Sequence, residues 1–471
     1  MNLIVFVLDA LRSKNLPPYG YEKDNAPNIS HLAKEGAVFL NTYALVDQTD
    51  PSFTTIFTGR HPLVHGITRH GFDVSKEMIW SFERKGIKQL PELIAPYGYK
   101  SIALDWLGRW HRRGYNTYMT PSSLLSGSLF RKFPGLTSTA LKTLAMSKSW
   151  ASYKLKYRVL RKLGFCWDKL GFCSTEAAMK LLRKVNGPFF LLFHFWDTHT
   201  PFHGVPRFLI DRYKSDRCKT SIEKMAEKIE NALWRRQVLR YHLAGLRCVE
   251  EIEPAYDASI RLADEAIGNF VRALEELHLS DQTLVIITAD HGENLVRDGI
   301  FIGHGGLYQR VLKVPLIMFG PKVKRGVYKQ LVSHLDLVPT ILEAVGIKSG
   351  RGSFEGKSLL KIFENDEGHD FILAVSSTAK KRYALITERY KFVYSPSKED
   401  AMDKFGGIWF NDIKELYDLS SDDDDMRNLV EDMPDLAKEL ESQLLNLIKF
   451  LQRRAAKLLF RTSQIRRRAF K

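Results

Sequence analysis

Three short segments of the chain carry residue types suited to chemistry on an anion. The first is Gln48 to Pro62, QTDPSFTTIFTGRHP, where Thr49 and Asp50 precede a proline and a short apolar run that stops at Gly59. Proline fits the first turn of a helix, where its missing N–H costs nothing, and glycine fits the end. Ser52 to Thr58 therefore reads as a short helix with Thr49 and Asp50 at its start. Helix N-termini offer free N–H groups and a partial positive charge, so a hydroxyl there could attack a phosphorus or sulfur centre whose oxygens the helix holds. On this segment alone, a Thr/Asp pair before proline is an ordinary cap.

The other two segments change that reading. NLIVFVLDAL places Asp9 at the end of a first strand-like run, and ITADHGE places Asp290 and His291 at the end of another. Open α/β sheets put their sites at the carboxyl ends of parallel strands. Two carboxylates and an imidazole suit a hard-to-borderline divalent cation, with the Thr49 oxygen as a fourth ligand. An adjacent cation lowers the pKa of a bound hydroxyl and makes an alkoxide accessible near neutral pH.

These residues need a scaffold, and the pattern of the chain supplies one. Apolar runs at Leu3 to Leu8, Ser101 to Leu104, Phe189 to Phe195, Thr283 to Thr288 and Val314 to Phe319 alternate with helical patterns such as Ala258 to Leu277. Continuous apolar runs of this length suit strands buried on both faces of a mostly parallel sheet, so the fold class is α/β. Residues from about 120 to 250 are basic, aromatic and helix-like. They read as a helical insertion over the catalytic face, either a substrate lid or a solvated excursion. A glycine-rich break near 350 to 356 closes a catalytic domain spanning 1–349. A small subdomain at 350–440 follows, with hairpin character in YALITERYKFVYS and a short antiparallel sheet. The segment 441–471 reads as a basic helical tail, lying on an anionic membrane or fraying into solvent.

Composition bounds the rest. The 471 residues are 44% hydrophobic and 26% charged, as in a soluble globular protein. No apolar run is long enough to span a bilayer, and the N-terminus lacks the features of an export signal. Four scattered cysteines, Cys166, Cys173, Cys218 and Cys248, form no C-x-x-C pair and read as reduced thiols. The expected location is cytoplasmic, with peripheral membrane attachment through the tail as an option. The 70 basic against 54 acidic residues give a net charge of +16, which favours anionic partners; an anionic ester substrate and an acidic membrane surface are expected, nucleic acid is not, and the oligomeric state is open.

Further blocks then follow in a fixed order. VLDALR with YGY, APNISHLAKEGAVFLNTYA and DPSFTTIFTGRHP come first, then GRWH and FHFWDTHTPF. ADHGE, GHGGLYQRVLKVPLIMFGP, SHLDLVPTILEAVGI and ELYDL complete the series. From residue 1 to about 430 it resembles the sulfatases and their relatives in the alkaline phosphatase superfamily. The resemblance implies an alkaline-phosphatase-like α/β sandwich and a hydrolase or transferase with one divalent metal ion (Mn, Ca, Mg or Zn). Asp9, Asp290 and His291 would bind that metal, with Thr49 completing the site as nucleophile. His304, in GHGG, would protonate the leaving group or hold the anion, and His199, in DTHTPF, would contact a non-bridging oxygen. Arg109 and His111 stand at the lysine and histidine of the family's GKWH block and would bind substrate, the bland alternative being an exposed basic loop. His194 and Asp197 read as structural.

Departures from the family pattern bear on the chemistry. Thr49 occupies the position whose Cys or Ser becomes formylglycine, and threonine cannot. Phe53 replaces the signature arginine, and Ala10 replaces the second aspartate of a paired Asp-Asp ligand. A threonine nucleophile with an Asp-His pair resembles lipoteichoic acid synthases and phosphonate monoester hydrolases. A threonine ester lacks the elimination route of formylglycine, so a second displacement at the same centre must release it, which is more natural for phosphorus. The expected activity is cleavage of a phosphate or phosphonate ester through a Thr49 intermediate. Alternatives are a sulfuric ester hydrolase that uses threonine, and a catalytically weak anion- or membrane-binding member of the fold.

Overall fold

A computed structural model of the chain describes residues 1–120, 149 and 171–469, apart from 203, 216, 230, 296–301, 349, 351, 366, 378–380, 402–412 and 423. Among these residues the main sheet has nine strands: β1 (Asn2–Leu8), β2 (Ala37–Tyr43), β3 (Lys100–Leu104), β4 (Thr117–Met119), β5 (Phe189–Phe195), β6 (Thr283–Ala289), β7 (Lys313–Val314), β8 (Leu316–Phe319) and β9 (Gly326–Ser333). Their order is β4-β3-β5-β1-β6-β8-β2-β7, with β9 beside β2. The first five in that order run parallel, as the continuous apolar runs predict. β8 joins β6 antiparallel.

Side chains alternate across a strand, and the two faces build two cores. Ile4, Phe6, Leu8, Phe193, Phe195, Val285 and Ile287 pack on one face. Against them lie α1 (Pro27–Glu35), α3 (Gly171–Leu182) and α4 (Ile252–Glu276), with α2 (Thr49–Thr58) reserved for the other face. There Val5, Val7, Phe190, Leu192, Leu284 and Ile286 meet Phe53, Ile56 and Phe57 of α2 and Val338 and Ile341 of α5 (Leu337–Ala344). Helix α1 begins at Ala26 without a capping side chain of its own. Asp264 of α4 takes that role, accepting from the amides of Ile29 (2.7 Å) and Asn28 (3.2 Å).

The small antiparallel sheet contains β10 (Ile372–Val375), β11 (Tyr383–Ile386), β12 (Tyr390–Tyr394) and β13 (Lys414–Asp418). Ile372, Ala374, Ala384, Ile386, Val393 and Tyr417 face the main body. Leu373, Leu385, Phe392 and Leu416 face α6 (Pro434–Ala469).

Three expectations are corrected. Strand β5 lies between β3 and β1, so the insertion expected over 120–250 is interrupted by a central strand; its run FFLLFHF is buried on both faces and pairs accordingly. Of that insertion, 121–148 and 150–170 lie outside the described residues. The boundary placed at 440/441 falls inside α6, where Leu440, Leu444, Ile448 and Leu451 form one buried stripe. The helix does not fray there: the Arg454 guanidinium pairs with Glu355 and bonds the Gly352 carbonyl. Finally, Cys218 and Cys248 are joined in a disulfide where Ser221 and Cys248 form a β-bridge. The reduced-thiol reading of these two cysteines is thereby corrected. No helix among the described residues is long and apolar enough to cross a membrane.

Leu444 is fully buried, and Leu444→Ala is expected to cost about 2–5 kcal/mol. Chemical denaturation followed by circular dichroism checks this; a loss below about 0.5 kcal/mol would mean that α6 does not hold the small sheet.

Candidate active site

Helix α2 spans Thr49 to Thr58, with Gln48 at its N-cap and Gly59 left-handed at its end (φ 61°). Every residue of it is buried. The predicted helix is therefore present, extended by one turn to include the nucleophile candidate. Its hydroxyl, Thr49 Oγ1, lies 3.3 Å from His291 Nε2. Ser52 fastens the helix to the sheet by donating to the Asp290 carbonyl (2.6 Å). One expectation is corrected here: Pro51 has no N–H, and the Asp50 N–H donates to His70 Nδ1 (3.2 Å), so few free amides remain to hold an anion.

The remaining groups stand at the carboxyl ends of neighbouring parallel strands. Asp9 follows β1, and Asp290 with His291 follows β6. Val7 pairs with Thr288, so Asp9 and Asp290, each two residues further on, share one face. His291 Nε2 lies 3.3 Å from Asp290 Oδ2 and 3.7 Å from Asp9 Oδ1. The backbone after Asp9 turns through a left-handed Ala10 (φ 61°). Its N–H donates to Asp290 Oδ1 (3.1 Å) and its carbonyl accepts from the Tyr256 hydroxyl (2.7 Å). Thr49, Asp9, Asp290 and His291 thus come together as the sequence predicts.

Charge is unevenly shared between the carboxylates. Burial pushes Asp9 up, but His199, His194 and His291 outweigh it and hold the group well below the usual carboxylate range. Asp290 is raised by burial and by repulsion from Asp9. His291 is raised because Asp290 and Asp9 outweigh its burial. Both oxygens of Asp9 and Oδ2 of Asp290 are buried without a hydrogen-bond donor. Unpaired buried carboxylate oxygens are costly, and a divalent cation removes that cost, so the residues present fit a metal.

His304 and His199 are half-buried and line the approach to this row. The His304 ring stacks 4.1 Å from that of His291 and stands 5.4 Å from that of His199. His304 Nδ1 donates to the Asp47 carbonyl (2.8 Å), which leaves Nε2 to exchange a proton. Burial, then the charges of His291 and His199, lower the ring well below an ordinary histidine. His199 Nδ1 donates to the Thr200 carbonyl.

Arg109 and His111 reach Asp50, the neighbour of Thr49. The Asp50 carboxylate accepts from Arg109 Nη2 (2.6 Å), the Gly71 amide (2.8 Å) and His111 Nε2 (3.0 Å). Burial raises Asp50, but His111 and His70 beside it carry it far below the usual range. The basic pair expected to bind substrate is thus partly neutralised by a buried carboxylate.

His194, read as structural, stands beside Asp9. Its Nε2 lies 3.6 Å from Asp9 Oδ2 and its Nδ1 donates to Asp105 Oδ1 (2.7 Å). Burial alone would lower the ring, but Asp105 and Asp9 outweigh it and push it up to about 10. The signal was a histidine inside the apolar run FFLLFHFW. Asp197 is structural as expected, accepting from the Gly171 amide (3.1 Å). Asp105 and Asp50 were not singled out as site residues, and both lie at the ends of elements already recognised.

A profile described as sulfatase matches residues 1–347, and one described as the C-terminal region of N-sulphoglucosamine sulphohydrolase matches residues 301–450. An arylsulfatase of Clostridium perfringens is 24% identical, over 91% of this chain and 90% of its own. An N-acetylglucosamine-6-O-sulfatase of Bacteroides thetaiotaomicron is 21% identical, over 91% and 82%. Among solved structures, the phosphonate monoester hydrolase of Agrobacterium radiobacter superposes with a TM-score of 0.69 at 17% identity, covering 96% of both chains. That likeness shows the shared fold. With a family profile running through β1, helix α2 and the Asp290–His291 strand end, the chain is a member of the sulfatase family of hydrolases.

Proposed function

We propose that the chain cleaves a phosphate or phosphonate ester with one divalent metal ion, through a covalent intermediate on Thr49. The observation that carries this reading is the buried Thr49 hydroxyl 3.3 Å from His291 Nε2, beside the donor-less oxygens of Asp9 and Oδ2 of Asp290. Asp9, Asp290, His291 and Thr49 would hold the divalent cation, whose positive charge would lower the hydroxyl's pKa and offset charge on the non-bridging oxygens. Thr49 Oγ1 attacks phosphorus in line, forming one O–P bond while the bond to the leaving oxygen breaks. Thr49 gives up its proton to solvent before the attack, and His304 Nε2, carrying a proton from solvent, delivers it to the departing oxygen. Water or an acceptor alcohol then attacks the same phosphorus and gives its proton to His304 Nε2, while the bond to Thr49 breaks and the released Thr49 oxygen regains a proton from solvent. His199 holds a non-bridging oxygen throughout.

Curated relatives named as sulfatases support the second reading, a sulfuric ester hydrolase. Comparing kcat/KM for an aryl phosphate diester, an aryl phosphonate ester and an aryl sulfate, with added manganese, separates the two. Phosphorus-ester turnover that falls roughly a thousandfold or more in Thr49→Ala is expected. Thr49-dependent turnover of the sulfate alone would overturn the choice of phosphorus.

Asp50 generates a further expectation. Removing its charge frees Arg109 and His111 for an anion, so Asp50→Asn should tighten competitive inhibition by inorganic phosphate about tenfold, or about 1.4 kcal/mol. An unchanged inhibition constant in a folded variant would mean that this cluster does not face the substrate.

A further inference from the structure

Four neighbouring strands each end in one polar group on the same face of the sheet. Leu104 of β3 pairs with Phe193, Val7 of β1 with His194, and Val7 also with Thr288 of β6. By the two-residue repeat of a strand, Asp105, His194, Asp9 and Asp290 therefore project together, in that spatial order across the sheet. Donor atoms of Asp9, His194 and Asp290 lie within 4.8 Å of one another, close enough for one ion to touch all three. His194 Nε2 is buried and has no hydrogen-bond partner, like both Asp9 oxygens and Asp290 Oδ2.

The other side of the His194 ring is fully specified. Nδ1–H donates to Asp105 Oδ1 at 2.7 Å. Asp105 is itself held by the Leu107 amide (3.2 Å) and the Tyr118 hydroxyl. The ring packs on Phe53, with centroids 4.2 Å apart, and on Trp106 at 5.4 Å. A carboxylate on one imidazole nitrogen fixes the tautomer that presents the other nitrogen's lone pair, an arrangement recurrent behind metal-binding histidines. Position 10, meanwhile, contributes only a methyl group where the resembled pattern has a second aspartate.

We propose that His194 Nε2 is a ligand of the divalent cation, oriented by Asp105, and that it replaces the carboxylate absent at Ala10. The proposal rests on the metal site of the preceding reading and adds a ligand from β5 to it. The resulting set has two carboxylates, two imidazoles and a hydroxyl. A second nitrogen shifts preference from calcium and magnesium toward zinc. A cation occupies the place where a proton on Nε2 would otherwise face Asp9.

The full chain, stripped of metal by a chelator and reloaded with Mn²⁺, tests this by pulsed electron paramagnetic resonance. Two histidine nitrogen couplings are expected in the wild type, one lost in His194→Gln and the other in His291→Gln. Titration calorimetry should find Zn²⁺ affinity reduced at least about a hundredfold in His194→Gln. In Asp105→Asn, affinity should fall about 10–100-fold with both couplings kept. A single coupling in the wild type that disappears in His291→Gln overturns the His194 ligand and leaves the metal site intact; this count needs no variant at His194 to fold. Absence of any Mn²⁺ or Zn²⁺ binding by the wild type overturns both the ligand and the site.

Discussion

Two carboxylates, Asp9 and Asp290, are forced into the same dry volume because their strands are hydrogen-bonded neighbours. Nothing in the backbone can relieve that repulsion, since each oxygen that the Ala10 and His291 amides do not reach lacks a donor. Much of the surrounding structure follows from it. The imidazoles of His194, His291 and His304 crowd around the pair, and the N-terminus of α2, the positive end of its dipole, abuts them. A buried arrangement of this kind is costly as a fold element. A cation and an anionic ester, as proposed above, would make up the missing charge.

The second half of the chain stabilises that arrangement from behind. Asp47, in the loop leading to α2, accepts from His304 and Gly306 and also from Ser377 beyond β10. Lys391 of β12 is buried against Asp425 and the Leu307 carbonyl. The small sheet is therefore wired to the loop that carries His304, which holds that side chain rigidly.

Much of the site was legible in the sequence because its parts occur at element boundaries. Asp9, Thr49, Asp290 and His291 each end a strand or begin a helix, and those boundaries leave apolar runs, a proline and a glycine as markers. His194 was not legible, because it sits within a run whose burial predicts a silent core residue; only strand order places it beside Asp9. Asp50 escaped for a related reason: its partners Gly71, Arg109 and His111 come from segments that no local pattern connects to α2. The Cys218–Cys248 pair, 30 residues apart, depends likewise on how the chain returns. The boundary at 440 failed because charge composition changes there while the apolar stripe of α6 continues.

Helix α6 does more than cover a small sheet. Its Leu440 and Leu444 share a core with Val64, just beyond the nucleophile helix, and Leu458 packs with Ile67, Val74 and Phe82. Arg454 and Arg60 grip the same Glu355, which also holds the His61 amide. Nearly four hundred residues separate these partners along the chain. On the ribosome, the segment around Thr49 is thus made early, and these contacts can form only once α6 has emerged.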